Sequence, residues 1–372
     1  MHAERHPIYL DHAATTPAAP QVIEAIAESM RLYSANPSAA YAEAGKARKE
    51  LRLTKDVLSG TIGCDRNELF FTSGGTEANN WVFSNYRGQH VVVSAIEHSS
   101  VIKAAENHGC RCTFVAPDAN GIIQPEAVER ALEPDTGLIS VQFANNETGV
   151  IQPVETIGTI AKRRKIPFHC DAVQAFGHIP VNVKQIRCDL LSVSAHKMYG
   201  PRGIGFLYIR SGLPFRAMIH GGGQENDRRS GTENIPAVSG FRVAAELAFS
   251  DMALRDVHEH AMIDLLLSRL AAAIPELRLL GGHTERTPGI CAVCVPGLSA
   301  EYAIANLDMQ GIMVSGGAAC AAHSAAPSHV YTAMGLSPEE ASCVLRFSPG
   351  RGTTKEEILA AADALIGLYQ KK

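Results

Sequence analysis

The sequence predicts an α/β protein: a mostly parallel sheet of seven strands wrapped by helices, with a smaller α+β unit at the C-terminal end. Three observations carry that prediction. Short apolar runs alternate with helical patterns from residue 20 to about 240, a long helical stretch rich in Ala and Leu follows, and beyond it the pattern loses its regularity. The 372 residues suit about two domains at roughly 100–200 residues each, enough to bury a real core.

In chain order, Glu68–Thr72, His90–Ser94, Cys112–Ala116, Leu138–Phe143, Pro167–Cys170, Leu190–Val193 and Gly205–Ile209 are short, mainly apolar runs that read as buried strands. Val243 to Ile274 reads as one long helical stretch, and the domain change falls near residue 255. The remainder offers a strand at Ile290–Val295, a helix at Ala300–Gln310 and a strand at Val344–Phe347. A last helix opens with Thr354-x-x-Glu357, the spacing of a capping box.

Composition excludes several classes. Hydrophobic residues make up 46% and charged residues 19%, the balance of an ordinary folded protein. Against 38 Asp plus Glu stand 34 Lys plus Arg, a net charge of -4, and no stretch concentrates basic residues as a nucleic-acid footprint requires. Met1 to Tyr9 carries charges where a signal peptide needs an apolar run, and no stretch reaches the ~18 apolar residues of a membrane span. Nine scattered cysteines, an odd number, fit reduced thiols in a cytoplasmic protein. Asn146-Glu147-Thr148 matches a glycosylation triplet that nothing else supports.

Three segments carry chemistry. Phe70 to Asn79 is a strand that passes through Ser73-Gly74-Gly75 into a helix beginning near Thr76, and amides at a helix N-terminus bind anions. The Gly-Lys-Ser/Thr ending of a nucleotide loop is missing, so a single phosphate fits better. Next, Leu190 to Gly205 is a buried strand ending in Ser194-Ala195-His196-Lys197, where a lysine can be desolvated and nucleophilic. Finally, Pro167 to Asp171 is an apolar strand ending in an acid, with Gln174 one helical step on. A strand-end carboxylate suits the protonated pyridine nitrogen of pyridoxal phosphate, which needs that proton to act as an electron sink. Taken singly, each has a plainer reading: a tight turn, a surface lysine, a structural acid.

At these residues the sequence resembles the cysteine desulfurases, pyridoxal-phosphate enzymes of the aminotransferase-like fold (fold type I). The resemblance spans nearly the whole chain. Its most specific stretches are Tyr9 to Pro17, Asn36-Pro37-Ser38, Thr72 to Asn80, Ser194 to Gly205, Gly221 to Glu225 and Arg229 to Asn234. It implies Lys197 as the covalent anchor of pyridoxal phosphate, Asp171 at its pyridine nitrogen and Gln174 at its phenolic oxygen. Gly75, Thr76, Ser194 and His196 would hold the phosphate, and Thr232 would reach the phosphate of the neighbouring subunit, which requires a homodimer. His98 would stack on the ring and move protons, although a histidine just past a strand is otherwise a turn or cap residue. Asn145 would lie near the ring and the substrate carboxylate, with Asn36 also on the substrate side. Arg346 would grip that carboxylate with its planar fork; without the resemblance it would be read as a surface ion pair. A large cofactor domain over 16–255 and a small domain over 256–372, with residues 1–15 packed on it, follow the same pattern.

The cysteines divide. Cys64, Cys170, Cys188 and Cys343 sit in or beside apolar runs and read as small core residues. Cys291 and Cys294 have redox or zinc spacing, but a strand points them to opposite faces and no second ligand pair follows, so no metal site is expected. Cys110 and Cys112 suggest no site. Cys320 lies in a run of small residues within about 314–327, where the resemblance places the cysteine that forms a persulfide, ahead of Pro327-Ser328-His329-Val330. Alanines at 318, 319, 321 and 322 replace the family's usual serines and threonines. His323 reads as a thiolate partner or a solvated loop residue.

The implied reaction removes sulfur from L-cysteine. Lys197 or His98 takes the α-proton, the Cys320 thiolate attacks the substrate sulfur, L-alanine leaves, and the persulfide passes to an acceptor protein. Selenocysteine lyase or a transaminase on the same fold, and a non-catalytic scaffold for sulfur-pathway partners, are the rival readings. Iron–sulfur cluster assembly, RNA thiolation and DNA sulfur modification are alternative destinations for the sulfur.

Overall fold

The order of the strands across the main sheet decides where a ligand can be held. A computed structural model describes residues 7–317 and 327–371. After β1 (Ile8–Tyr9) come β2 (Leu69–Thr72), β3 (His90–Ser94), β4 (Arg111–Val115), β5 (Thr136–Ser140), β6 (Phe168–Asp171), β7 (Leu190–Ser194) and β8 (Gly205–Ile209). The last seven form one sheet in the order β2-β8-β7-β6-β5-β3-β4. Only β8 runs against its neighbours, so β2, β3, β5, β6 and β7 end at one common edge. In such open sheets the crevice outside the strand C-termini receives the ligand.

Alternate side chains feed two cores, one on each face. Val92, Ile139, Cys170 and Val193 pack on one side, while Val91, Val93, Leu138 and Leu190 pack on the other, with Trp81. That double burial is why these strands are mainly apolar, with buried Ser140, His169 and Ser192 satisfied by one another across the sheet.

The later strands are β9 (Arg278–Leu279), β10 (Cys291–Cys294), β11 (Ile312–Met313) and β12 (Val344–Phe347). β10 lies antiparallel between β9 and β12, and β11 pairs in parallel with β1. A further core joins Leu10 to Leu266, Cys291, Leu345 and Leu365, so the start of the chain is built into the packing of its end.

One expectation is corrected. The stretch Val243–Ile274 is not one helix: helices Ile235–Ser250 and Met252–Ala273 meet at Asp251, whose φ of -118° and ψ of 11° leave the helical region. Arg255, buried in the second helix, turns its guanidinium onto the carbonyls of Ala248 and Gly177, and Arg351 pairs with Asp251 at 3.0 Å. A one-residue break of this kind leaves the apolar pattern intact. The final helix, Lys355–Tyr369, opens with the expected capping box of Thr354 and Glu357. No described helix is long and apolar enough to cross a membrane.

Candidate active site

β2 leads into the glycine turn and the helix Gly75–Ser84. Gly74 has φ 144°, which residues with a Cβ rarely adopt, and a Cβ on Gly75 would lie 2.8 Å from the Val173 side chain. The turn therefore rests directly on the loop after β6, with Ser194 Oγ 3.4 Å from where a Gly74 Cβ would stand. Glu77 accepts the Ser73 N–H at 2.8 Å and is gripped by Arg229 at 2.8 and 3.0 Å, which fixes the first turn of the helix carrying Thr76.

β7 runs into a short 3₁₀ turn, Ala195–Lys197. Lys197 Nζ donates to the carbonyls of Ala13 and Ala14 at 2.7 and 2.8 Å, and Gln174 Nε2 donates to the same Ala13 carbonyl at 2.9 Å. The N-terminal segment thus closes one wall. His196 meets Thr15 Oγ1 at 3.1 Å, and burial beside Lys197 and Arg202 pushes its pKa down to about 4, leaving a neutral ring. Asp171, 6% exposed at the end of β6, accepts the Val173 N–H at 2.9 Å and Asn79 Nδ2 at 2.8 Å. His98 caps the helix Ser99–Asn107, its Nδ1 accepting the Ser100 N–H at 3.1 Å. Burial lowers its pKa, Asp171 opposes that, and Lys197 and His329 lower it further. His98 is thus both the cap that its position suggests and a near neighbour of the strand-end acid and lysine.

A second cluster lies where β12 meets the loop after β5. Arg346 is 1% exposed inside β12; its fork donates to Asp11 Oδ1 at 2.6 Å and the Asn146 carbonyl at 2.8 Å, while its Nε is buried with no partner among the described residues. The surface-ion-pair reading of Arg346 is therefore wrong. Asn145, fully buried, donates to the Ile96 carbonyl at 3.0 Å and accepts from the Glu147 and Thr148 N–H groups at 2.9 Å each, so it shapes this loop. The glycosylation triplet 146–148 is buried. Glu147 accepts from Ser328 Oγ at 2.6 Å, and a Cβ on Gly317 would lie 2.9 Å from its Oε2. Gly317 and Ser328, described residues on either side of 318–326, thus both meet Glu147. His329 Nε2 lies 2.9 Å from the Glu97 carbonyl, next to His98.

Not every expected residue joins these clusters. Asn36 is exposed, its Oδ1 accepting the Ser38 N–H at 2.9 Å, and Thr232 is exposed ahead of the helix Ile235–Ser250. Cys320 and His323 lie outside the described residues. The eight described cysteines are free thiols. Cys291 and Cys294 enter different cores, as opposite faces of a strand require, and Cys110 directs its thiol at the Tyr86 carbonyl at 3.4 Å, burial pushing its pKa up to about 11. Asn79, Ser100, Asp11 and Glu147 belong to the site without having been singled out. Asn79 and Asp11 stand inside matched motifs, but nothing local announces that their partners are an acid and an arginine from distant strands.

Comparison with known proteins agrees with this geometry. The aminotransferase class-V family matches residues 8–360. A cysteine desulfurase IscS from Clostridium botulinum is 38% identical over 98% of this chain and 95% of its own length. Among solved structures, a NifS-like protein from Rickettsia africae superposes with a TM-score of 0.91 at 31% identity, covering 98% of this chain and all (100%) of its own. SspA in complex with cysteine superposes at 0.81 with 33% identity, over 92% of this chain and 98% of its own. The chain belongs to the aminotransferase class-V family, in its cysteine desulfurase branch.

Proposed function

We propose that this pyridoxal-phosphate-dependent cysteine desulfurase moves the sulfur of L-cysteine onto Cys320, releasing L-alanine and leaving a persulfide for an acceptor protein. The observation that supports it is the convergence at one sheet edge of an anchoring amine, a buried acid and an anion turn, from the ends of β7, β6 and β2. These residues fit pyridoxal phosphate: the turn is closed to a Cβ at Gly75, Asp171 stays buried on donated hydrogen bonds, and Asn79 Oδ1 is buried with no partner among the described residues. When bound, the cofactor supplies an electron sink for the substrate's Cα.

Lys197 would anchor it, with Asp171 at the ring nitrogen and Gln174 at the phenolic oxygen. Gly75, Thr76, Ser194 and His196 would hold its phosphate. In a homodimer, exposed Thr232 would reach the neighbouring subunit's phosphate. Arg346 orients the substrate carboxylate, with Asn145 shaping the adjoining loop and Asn36 closing that side. Lys197 Nζ or His98 takes the proton from the substrate Cα. Cys320 Sγ then attacks the substrate sulfur; the S–S bond forms as the substrate's C–S bond breaks, and the carbon fragment is protonated to alanine. The meeting of Gly317 and Ser328 at Glu147, itself near Arg346, supports Cys320, which lies between them in the chain, as the thiol delivered here. L-cysteine as the substrate is further supported by the likeness to SspA in complex with cysteine.

The decisive experiment is Cys320→Ala. The variant should keep the visible absorbance of the bound cofactor and lose alanine and persulfide formation from L-cysteine. Undiminished turnover would overturn the assignment.

A further inference from the structure

We propose that Asn79 and Ser100 are positioning residues that fix the proton of His98 on Nε2 and tie that ring to Asp171 through one hydrogen-bonded chain. The proposal rests on the placement of His98 and Asp171 above, and it makes His98 a proton donor through Nε2, which leaves Lys197 Nζ as the base for the substrate Cα.

Asn79 is 1% exposed in the helix that follows the glycine turn, and its Nδ2 stands 2.8 Å from Asp171 Oδ2 and 2.9 Å from Ser100 Oγ. The carboxylate settles which end of the amide points there, because a carbonyl oxygen placed 2.8 Å from Asp171 would set two acceptors against each other. An amide nitrogen only donates, so both of its protons are used. Ser100 Oγ therefore accepts from Asn79, and its own proton is left for His98 Nδ1, 2.7 Å away. The Ser100 main-chain N–H points at the same Nδ1 from 3.1 Å. A ring nitrogen that accepts two donors carries no proton, so the neutral imidazole holds its proton on Nε2. Asn79 Oδ1, buried with no partner among the described residues, adds that this amide is kept for its two N–H groups.

Burial makes such a chain consequential, since removing one buried partner strands the other. The charged and titratable groups facing His98 are Asp171 at the end of β6, Lys197 after β7 and His329 beside the Glu97 carbonyl, with the buried Glu97 preceding it in the chain. Among the described residues the hydrogen bonds at Nδ1 come from the Ser100 hydroxyl and main-chain N–H, and these set the tautomer.

The test compares holoenzyme variants. Ser100→Ala should lower kcat for L-cysteine by about tenfold, the size of one lost hydrogen bond, leave KM within about twofold, and shift the pH profile of kcat. Ser100→Thr, which restores the hydroxyl, should recover the wild-type profile. Asn79→Ala should alter the visible circular dichroism of the bound cofactor, because Asp171 loses a donor. Ser100→Ala, at a half-buried position, keeps the test readable should Asn79→Ala not fold. A Ser100→Ala variant with wild-type kcat and pH profile, alongside a His98→Gln variant that has lost activity, overturns the proposal alone. A His98→Gln variant with wild-type kcat overturns the role of His98 and the proposal with it.

Discussion

The site has two halves, built on different terms. At the sheet edge, Asp171, Lys197, His98 and the glycine turn each follow a strand; parallel pairing sets the first three side by side, and antiparallel β8 carries the turn alongside β7. At the seam, Arg346, Asp11 and Glu147 come from β12, the N-terminal segment and the loop after β5, and they stand together only because the chain's two ends pack into one core. The sheet edge is therefore set by local geometry repeated along a ladder, whereas the seam depends on charges satisfying one another across it. A ladder tolerates the loss of one side chain; a buried ion pair does not.

The most damaging expected change is at the seam. Arg346→Ala removes the fork assigned to the substrate carboxylate and strands Asp11. It should cut kcat/KM for L-cysteine by on the order of 10²-fold or more and lower unfolding free energy by about 3–5 kcal/mol. Steady-state kinetics and denaturant melts check both. An unchanged KM would remove Arg346 from substrate binding.

Acidity should separate buried histidines from a buried carboxyl next, because burial shifts the two kinds of group in opposite senses. Near the sheet edge, burial pushes His169 down to about 3 and His178 and His196 to about 4, from an ordinary value of 6.5. Below 6.5 the unfolded chain therefore holds more protons at these rings, so their stabilisation is complete above 6.5 and is lost as pH falls toward 4. Glu259, on the helix Met252–Ala273, behaves oppositely: burial raises it to about 7, its folded form keeps a proton that the unfolded carboxyl releases near 4.5, and its contribution fades as pH rises through 7. Urea midpoints between pH 4.5 and 8 should rise with pH more steeply in Glu259→Gln than in the wild type. Equal slopes would count against the Glu259 contribution.

The smallest expected effect is outside both halves. Thr354→Ala removes the cap of the helix Lys355–Tyr369 and should cost about 1 kcal/mol in thermal or urea unfolding, with kcat unchanged. A loss of activity would mean that the seam feels the end of that helix.

Much of the sheet edge is legible in the sequence, and the reason is periodicity. A strand buried on both faces is mainly apolar, so a lysine or an aspartate that ends such a run stands at the sheet's edge, as Lys197 and Asp171 do. His98 is half legible: its cap follows from its place before Ser99, but its nearness to Asp171 needs the pairing of neighbouring strands. Asn79 has no such signal, because a helical asparagine reads the same whether it faces solvent or an acid. The break at Asp251 is hidden for a related reason: both helices on either side keep an apolar face.

By itself, then, the sequence determined the alternation of strands and helices, the glycine turn, the strand-end lysine and acid proposed to hold the cofactor, and through its motifs the cysteine desulfurase branch. Tertiary structure alone decided that Arg346 is buried against Asp11, 335 residues earlier in the chain, that Glu147 stands between Gly317 and Ser328, and that Asn79 joins His98 to Asp171 through Ser100. The division follows the range of the forces. Hydrophobic period and turn chemistry act over a few residues and leave their mark in order along the chain, while a buried charge or amide is satisfied by whatever group the fold brings within about 3 Å.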